Sequence, residues 1–286
     1  MNPIETVLVK LLASSLRNIP CELDDEIVSD WDEVYKEARA HQIHTLIFPA
    51  VSKLQGPNAP SQEKLDEWKR FSLIAGMKMF SNYQWMANVL KAFYEKEIPV
   101  MVLKGIILND LYPNPELRLM GDVDIFTREE DIEKASQVLI SLGYTPEPDK
   151  DLKHIGYSHP QFLSIELHRR LVDNGFLKGK KNFEQLVWQN AIKIDYLGQP
   201  VLSMDWNVKV VYLCLHMASH MLDEGFGLKQ LSDLVILMER KKDELEWAHI
   251  LEISQKYGLD HFLFALLVVI RRLFGTALPK EFEEKY

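Results

Sequence analysis

The sequence predicts an α+β protein in which a small mixed β-sheet core is flanked by N-terminal and C-terminal helical segments. Before residue 98 and after residue 203, apolar residues recur at spacings of three and four, which is the pattern of amphipathic helices. Between those points the chain carries short apolar runs bounded by Gly, Pro and Asp, which is typical of strands. We therefore divide the chain into a helical region at 1–97, an α/β core at 98–203 and a second helical region at 204–286.

The N-terminal region is predicted to form three helices. The first covers 2–17. The second begins after Asp30, an N-cap residue with Glu33 in the capping-box position, and runs to about residue 40. The third is long, because between residues 61 and 96 the only helix-breaking residue is one glycine and apolar side chains recur at helical spacing.

The core is predicted to alternate strands with short helices. A short helix is expected at 106–111, and Thr127, with Glu130 three residues later, is expected to cap another that ends near residue 142. His154 and His159 flank a predicted flexible loop. The predicted strands cover 99–103, 121–126, 162–167, 192–196 and 200–202, the last two forming a hairpin. Beyond the core, helices are predicted at 205–222, 229–241, 245–256 and 259–274.

Composition and charge exclude several classes of protein. The formal net charge is −9, and an acidic surface disfavours a nucleic-acid partner because polyanions bind basic fields. Two cysteines cannot form a disulfide framework and fit a reducing compartment. The first residues lack the layout of a signal peptide, and the longest apolar run, 262–270, is far shorter than the roughly 20 residues of a membrane span. We therefore expect a cytoplasmic protein with no membrane segment.

Two carboxylates placed two residues apart are the first candidates for chemistry. Asp122 and Asp124 lie in a predicted strand, so both point from one face while Val123 and Ile125 point from the other. Like charges this close repel each other, and a divalent cation is the usual reason for them to coexist. Carboxylate oxygens favour Mg²⁺ or Mn²⁺. The alternative is an ordinary strand end whose acids reach water or cap the following helix.

Glu166 extends this set. It lies in the middle of an otherwise apolar predicted strand, where an acidic side chain is unfavourable unless it has a partner. If this strand lies beside that of Asp122 and Asp124, three carboxylates converge, and such a set can hold two divalent cations for in-line nucleotidyl displacement. His168 shares the face of Glu166. It is interpreted either as a neighbour of metal ligands or substrate, or as a hydrogen-bonded histidine at a strand end.

Lys104 and Gly105 directly follow the first predicted core strand. A glycine there lets the backbone approach a phosphate, a helix N-terminus favours an anion, and Lys104 adds a positive charge. The alternative is a plain strand-to-helix turn. Arg118, four residues before Asp122, also has two interpretations: its guanidinium contacts phosphate, or it pairs with a neighbouring carboxylate.

The C-terminal region carries three polar residues on apolar helical stripes. His216 and His220 are four residues apart, a spacing that can bind zinc. No third ligand is evident nearby, so we favour positions that line a cleft facing the core. Asp233 is expected either to pair with Lys229, one turn earlier, or to point into the same cleft.

The order of these features resembles the DNA polymerase β-like nucleotidyltransferase superfamily and, more narrowly, an uncharacterised bacterial nucleotidyltransferase family. The resemblance is carried by 102–105 (VLKG), 118–124 (RLMGDVD) and 165–168 (IELH), and extends loosely to the tail with its two histidines and Asp233. The superfamily carries a Gly-Gly or Gly-Ser turn after its first strand. Gly105 matches the second position of that turn, whereas Lys104 stands where the first glycine would be. The resemblance implies that the catalytic metal ligands are Asp122, Asp124 and Glu166. It implies that the nucleotide-binding residues are Lys104, Gly105 and Arg118.

By this resemblance, the chain is expected to be a Mg²⁺-dependent enzyme that uses ATP or another NTP. It would transfer a nucleoside monophosphate to a hydroxyl of a small-molecule, sugar or protein acceptor and release pyrophosphate. The alternative is a catalytically silent binding or regulatory module of the same fold, similar to an antitoxin. The complete carboxylate set favours the enzyme, and the lysine at position 104 keeps the alternative open.

Overall fold

A mixed sheet lies at the centre of the described chain. The structure, a computed structural model, describes residues 1–23, 28, 30–148, 153–171, 183–223 and 225–286. Its seven described strands are β1 (Val100–Val102), β2 (Asp122–Thr127), β3 (Thr145–Pro146), β4 (His154–Ser158), β5 (Ser164–His168), β6 (Ala191–Tyr196) and β7 (Gln199–Met204). They lie in the order β3-β4-β5-β2-β1-β7-β6. This sheet and the helices around it confirm the predicted α+β class.

The pairing of the central strands decides where the functional residues lie. Strand β2 pairs in parallel with β5 and antiparallel with β1, and β1 pairs in parallel with β7. Hence two segments distant in sequence, β5 and β7, are brought beside the motif-bearing strands. The side chains of Val123, Ile125, Ile165 and Leu167 are fully buried on one face of the β2–β5 pair. Burial of that apolar face fixes the register, because a shift by one residue would place the carboxylates in the core.

The N-terminal helices form much as the sequence predicts. They are α1 (Pro3–Arg17), α2 (Trp31–Ala40), the short α3 (Phe48–Val51) and α4 (Gln62–Glu95). Asp30 caps α2 by accepting from the backbone N–H groups of Asp32 and Glu33. Helix α4 runs unbroken across Gly76 and is capped by Ser61. These capping interactions confirm the predicted starts of both helices.

Five helices follow the sheet: α8 (Trp206–Asp223), α9 (Leu228–Arg240), α10 (Trp247–Tyr257), α11 (Asp260–Phe274) and α12 (Lys280–Lys285). The first four confirm the prediction, and α12 was not predicted. Arg17 at the end of α1 donates to Glu239 on α9 and to the carbonyl oxygen of Phe274 on α11, at 2.6 and 2.7 Å. The first and last helical segments are therefore in direct contact. No helix of the described residues is both long and apolar enough to cross a membrane.

The remaining helices are short and depart from the prediction. They are α5 (Ile106–Asn109), α6 (Ile132–Ser141) and α7 (Phe183–Gln189). Helix α5 is only one turn long, and α7 was not predicted. The prediction that Thr127 caps α6 is wrong, because Thr127 is the last residue of β2 and its hydroxyl donates to the carbonyl oxygen of Pro99 at 2.9 Å. A turn of 3₁₀ helix, Glu129–Asp131, separates the two elements.

The flexible loop expected between His154 and His159 is instead strand β4. It pairs antiparallel with β5 and with the short β3. Tyr157 is only 1% exposed, so its burial against the sheet holds this segment in place. The glycine at 156 and the flanking polar residues obscured this two-residue periodicity in the sequence.

Candidate active site

The parallel pairing of β2 with β5 places the three predicted carboxylates on one face of the sheet. Asp124 lies directly opposite Glu166, and Asp122 lies opposite Ser164. Because residues two apart on a strand share a face, Asp122, Asp124 and Glu166 all project from it. Their exposure differs: the side chain of Asp124 is 4% exposed and that of Glu166 is 30% exposed. The group of carboxylates therefore extends from the buried Asp124 to the partly exposed Glu166.

Asp124 is held between two cationic side chains. The Nζ of Lys104 lies 3.2 Å from Oδ2, and the Nε2 of His168 lies 3.1 Å from Oδ1. Burial alone would raise the pKa of Asp124, but Lys104 and His168 outweigh it and hold that pKa well below its usual range. Burial likewise opposes the charged form of His168, yet its contacts with Asp124 and Glu166 raise its pKa to about 9. Asp124 is therefore ionised, and the positive charges of Lys104 and His168 balance its negative charge.

Asp122 has a different environment from its neighbour two residues away. Among the described residues no salt bridge reaches its carboxylate, which lines an open cleft. Burial, and then the charge of Asp124, raise the pKa of Asp122. This carboxylate therefore carries negative charge that the neighbouring side chains leave largely uncompensated.

Two histidines support Lys104 from helix α8. The Nζ of Lys104 donates to Nε2 of His216 at 2.9 Å. The Nε2 of His220 lies 3.1 Å from Nε2 of His216. Burial, and then the charge of Lys104, lower the pKa of His216. Its ring is therefore neutral and can accept a hydrogen bond from the lysine ammonium. The sequence favoured a position in the cleft for this pair, and the structure places both rings there.

Arg118 forms a buried ion pair with Asp233 on α9. Its Nε donates to Oδ1 at 2.7 Å and its Nη2 donates to Oδ2 at 2.6 Å, so the contact is bidentate. The Nη1 of Arg118 donates to Asn109, and the Tyr112 hydroxyl donates to Asp233 at 2.6 Å. Of the two interpretations of Arg118, the geometry matches pairing with a carboxylate. Asp233 pairs with Arg118 rather than with Lys229.

A cleft of about 230 Å³ lies between the sheet and helices α8 and α9. Its polar lining includes Lys104, Arg118, Asp122, Asp124, His216, His220 and Asp233, whereas Glu166 and His168 lie outside that lining. We call its two sides the sheet wall, which carries Asp122 and Asp124, and the helical wall, which carries His216, His220 and Lys229. Lys229 was not predicted to be functional. Its Nζ donates to Gln42 at 2.8 Å, and burial, followed by the charge of Arg118, lowers its pKa to about 8. The only sequence signal for it was a lysine in the first turn of an otherwise apolar helix.

Gly105 forms the floor of this cleft next to Lys104. Its φ is +65°, a conformation that side chains rarely adopt, and a Cβ there would lie 3.0 Å from the Sδ of Met120. A glycine is therefore required by the turn itself. Helix α5, which follows, is too short for its dipole to bind an anion strongly.

The fold and this cleft define a nucleotidyltransferase-type enzyme. The family model described as "Uncharacterised nucleotidyltransferase" matches residues 28–275, which is most of the chain. The chain therefore belongs to this family and is a transferase. No curated protein sequence matches it significantly.

Several solved structures are similar in fold. The solution structure of the antibiotic-resistance factor ANT(2'')-Ia is 12% identical, with a TM-score of 0.44, over 68% of this chain and 97% of that one. The lincomycin-bound lincosamide antibiotic adenylyltransferase LnuA is 14% identical, with a TM-score of 0.37, over 54% and 95%. A nucleotidyltransferase-like protein from Paracoccidioides brasiliensis is 13% identical, with a TM-score of 0.38, over 63% and 91%. These values are too low to transfer a substrate to this chain.

Proposed function

We propose that this protein transfers a nucleoside monophosphate from an NTP to a hydroxyl group of a small-molecule, sugar or protein acceptor. In this reaction the acceptor oxygen forms a bond to the α-phosphorus. The bond from that phosphorus to its bridging oxygen breaks, and pyrophosphate leaves. The hydroxyl proton passes to a carboxylate or to solvent.

The observation that carries this proposal is that acidic and basic side chains line one cleft. The sheet wall presents Asp122, which has no salt bridge among the described residues, beside the buried Asp124. Lys104, which follows β1 and contacts Asp124, and Lys229 on α9 line the same cleft. A triphosphate needs positive charge along its length and a divalent cation at its reacting phosphate, and this arrangement supplies ligands for both.

The carboxylates offer the donor chemistry that a divalent cation requires. Asp122 and Asp124 share a strand face, Asp124 lies opposite Glu166, and all offer hard oxygen donors of the kind that Mg²⁺ and Mn²⁺ prefer. Burial, and then the charge of Asp124, raise the pKa of Asp122, and a bound cation would oppose both effects. We therefore assign Asp122, Asp124 and Glu166 as the residues that would hold Mg²⁺ or Mn²⁺. Such an ion, when bound, would neutralise phosphate charge and favour ionisation of the attacking hydroxyl.

The helical wall would bind and orient the nucleotide. Lys104 and Lys229 would contact phosphate oxygens as point charges. The neutral ring of His216 would hold the Lys104 ammonium in place. The Arg118–Asp233 pair would act indirectly, because it fixes α9 against the segment that leads into β2 and so sets the position of Lys229.

Glu166 would face the acceptor. Its side chain is 30% exposed, whereas that of Asp124 is only 4% exposed. Glu166 is therefore the better placed of the two to accept a proton from an incoming hydroxyl.

The test is a product assay with each of four α-labelled NTPs, Mg²⁺ and a panel of hydroxyl acceptors. The panel would contain an aminoglycoside, a lincosamide, free sugars and peptides with Ser, Thr or Tyr. Mass spectrometry of the chain itself would detect transfer to its own hydroxyls. We expect pyrophosphate release with one acceptor class, a loss of about 100-fold or more in Asp122→Asn, and no change in Asp243→Asn, an exposed control aspartate.

Two outcomes would contradict the proposal. One is equal turnover by wild type and Asp122→Asn. The other is the absence of any labelled product together with NTP binding that ignores Mg²⁺, which would favour the catalytically silent module instead.

A further inference from the structure

The sheet face that carries Glu166 extends onto strand β4, where histidine side chains add nitrogen ligands to the carboxylate. His154 on β4 lies directly opposite His168 on β5, and Glu166 is two residues before His168. Paired residues of antiparallel strands share a face, so all three side chains project together. Gly156, which lies opposite Glu166, has no side chain of its own, and the carboxylate of Glu147 lies where its Cβ would be.

The separations within this group match those of ligands around one small ion. The Nε2 of His154 lies 3.6 Å from Oε1 of Glu166, and the Nε2 of His168 lies 3.3 Å from Oε2. One ligand atom from each of the three residues lies within 4.8 Å of the other two. Zinc–ligand bonds are about 2.0–2.2 Å long, so two tetrahedral ligands lie roughly 3.3–3.6 Å apart. Each histidine contacts a different oxygen of Glu166, and Nε2 of His168 also lies 3.1 Å from Asp124, so an ion would draw the three ligand atoms together and displace that contact.

The carboxylate set of the proposed function does not form such a group. Within the described part of the chain, His154, Glu166 and His168 are the only His, Cys, Asp or Glu residues to meet that three-way distance. Their side chains are 24%, 30% and 12% exposed, so an ion in solution can reach them. Only part of their surface is open to water.

We propose that His154, Glu166 and His168 form a transition-metal site that binds Zn²⁺ in preference to Mg²⁺. Two imidazole nitrogens and one carboxylate are a zinc-type donor set, with a fourth position left open, whereas Mg²⁺ favours oxygen ligands and dehydrates reluctantly. The inference touches the proposed function only through Glu166, which belongs to both sets. Zinc bound here would withdraw Glu166 from the carboxylate set.

The experiment uses the full chain, freed of metal by a chelator and then dialysed. Zn²⁺ is titrated by calorimetry with and without an excess of Mg²⁺, and Co²⁺ serves as a spectroscopic probe because its visible absorption reports the coordination number. We expect one equivalent of Zn²⁺ that excess Mg²⁺ does not displace, and a Co²⁺ spectrum of a four-coordinate site. His154→Ala should weaken Zn²⁺ binding at least tenfold, while His249→Ala, an exposed histidine on α10, should not.

Further variants separate the competing explanations. His154→Gln repeats the test with a side chain of similar size, and each variant's zinc-induced change in melting temperature is measured against its own metal-free melt. Asp122→Asn should keep the zinc site while losing Mg²⁺-dependent NTP binding, so the two proposals can fail separately. Zinc binding that survives His154→Ala, or that is lost in His220→Ala instead, would overturn this inference.

Discussion

The sheet wall and the helical wall reach the same cleft by different routes. On the sheet wall, Asp122 and Asp124 are placed by the two-residue period of one strand, and a single parallel pairing sets Glu166 beside Asp124, outside the lining of the cleft. The helical wall depends on contacts between residues far apart in sequence: 112 positions separate Lys104 from His216, and 115 separate Arg118 from Asp233. The comparison teaches that local strand geometry sets the acidic half of the site, and long-range side-chain pairing sets the basic half.

The largest expected effect is on the pair that anchors the helical wall. Arg118→Met should lower the free energy of unfolding by about 3–5 kcal/mol, because it leaves Asp233 buried and without its cation. Arg271→Met is the matched control, since the pair of Arg271 with Glu283 is exposed and should contribute about 0–1 kcal/mol. Urea unfolding measures both. Equal losses in the two variants would show that the helical wall does not depend on this pair.

Gly105→Ala should have the next largest effect, a loss of about 1–2 kcal/mol in unfolding free energy. The positive φ is unfavourable for alanine, and the new Cβ would press on Met120. Gly121→Ala is the control from the same cleft, because a Cβ there meets nothing within 4 Å. If thermal and urea unfolding find the two variants equally stable, the turn does not need its glycine.

Lys229→Met tests whether the helical wall binds phosphate. We expect the Kd for the preferred NTP, measured with Mg²⁺ by calorimetry, to rise about fivefold, which corresponds to ~1 kcal/mol. The folded state should keep its stability, since the direct hydrogen-bond partner of this lysine among the described residues is the uncharged Gln42. The control is Lys193→Met, which replaces an exposed lysine on β6. Unchanged affinity in Lys229→Met would remove this residue from the proposed site.

The last prediction concerns the pH dependence of stability and rests on Lys209, which supports the strand end just before Lys104. Its Nζ donates to Ser203 at 2.8 Å and to the carbonyl oxygen of Leu103 at 3.3 Å. Burial lowers the pKa of Lys209 to about 7 from 10.5. The unfolded chain therefore binds more protons here between pH 7 and 10.5, so this residue makes stability rise with pH across that window.

Lys209→Met removes this dependence. Urea unfolding at pH 7, 8 and 9 should show the wild type gaining stability relative to Lys209→Met as the pH rises. The exposed Lys78→Met should change in parallel with the wild type. Parallel behaviour of Lys209→Met would mean that Lys209 keeps an ordinary pKa in the folded state.

The same contrast explains how much the sequence could predict. The three carboxylates were predicted because an acidic residue stands out within an apolar strand. Since side chains alternate between the two faces of a strand, the spacing of the acids also predicts which of them share a face. The long helix α4 and the helices after residue 203 were predicted because their apolar spacing is strong and uninterrupted. These are local signals, and the pairing of β2 with β5 brings the three carboxylates to one face of the sheet.

What the sequence left open depends on contacts that are not local. Arg118 had two interpretations, and only the position of α9 shows that Asp233 is its partner. Strand β4 was taken for a loop because Gly156 and its polar neighbours hide a strand whose stability comes from Tyr157 burial and from pairing with β5. Lys229 was considered only as a partner of Asp233, and its place in the cleft depends on how α9 packs against the sheet.

The central claim is that the two walls form one metal-dependent nucleotide site. The most direct measurement is calorimetric titration of ATP, CTP, GTP and UTP into the full chain, with and without Mg²⁺, for wild type and Asp122→Asn. The account predicts that at least one NTP binds wild type only when Mg²⁺ is present, and that Asp122→Asn loses this binding. Binding that persists in the variant, or that is the same without metal, would contradict it.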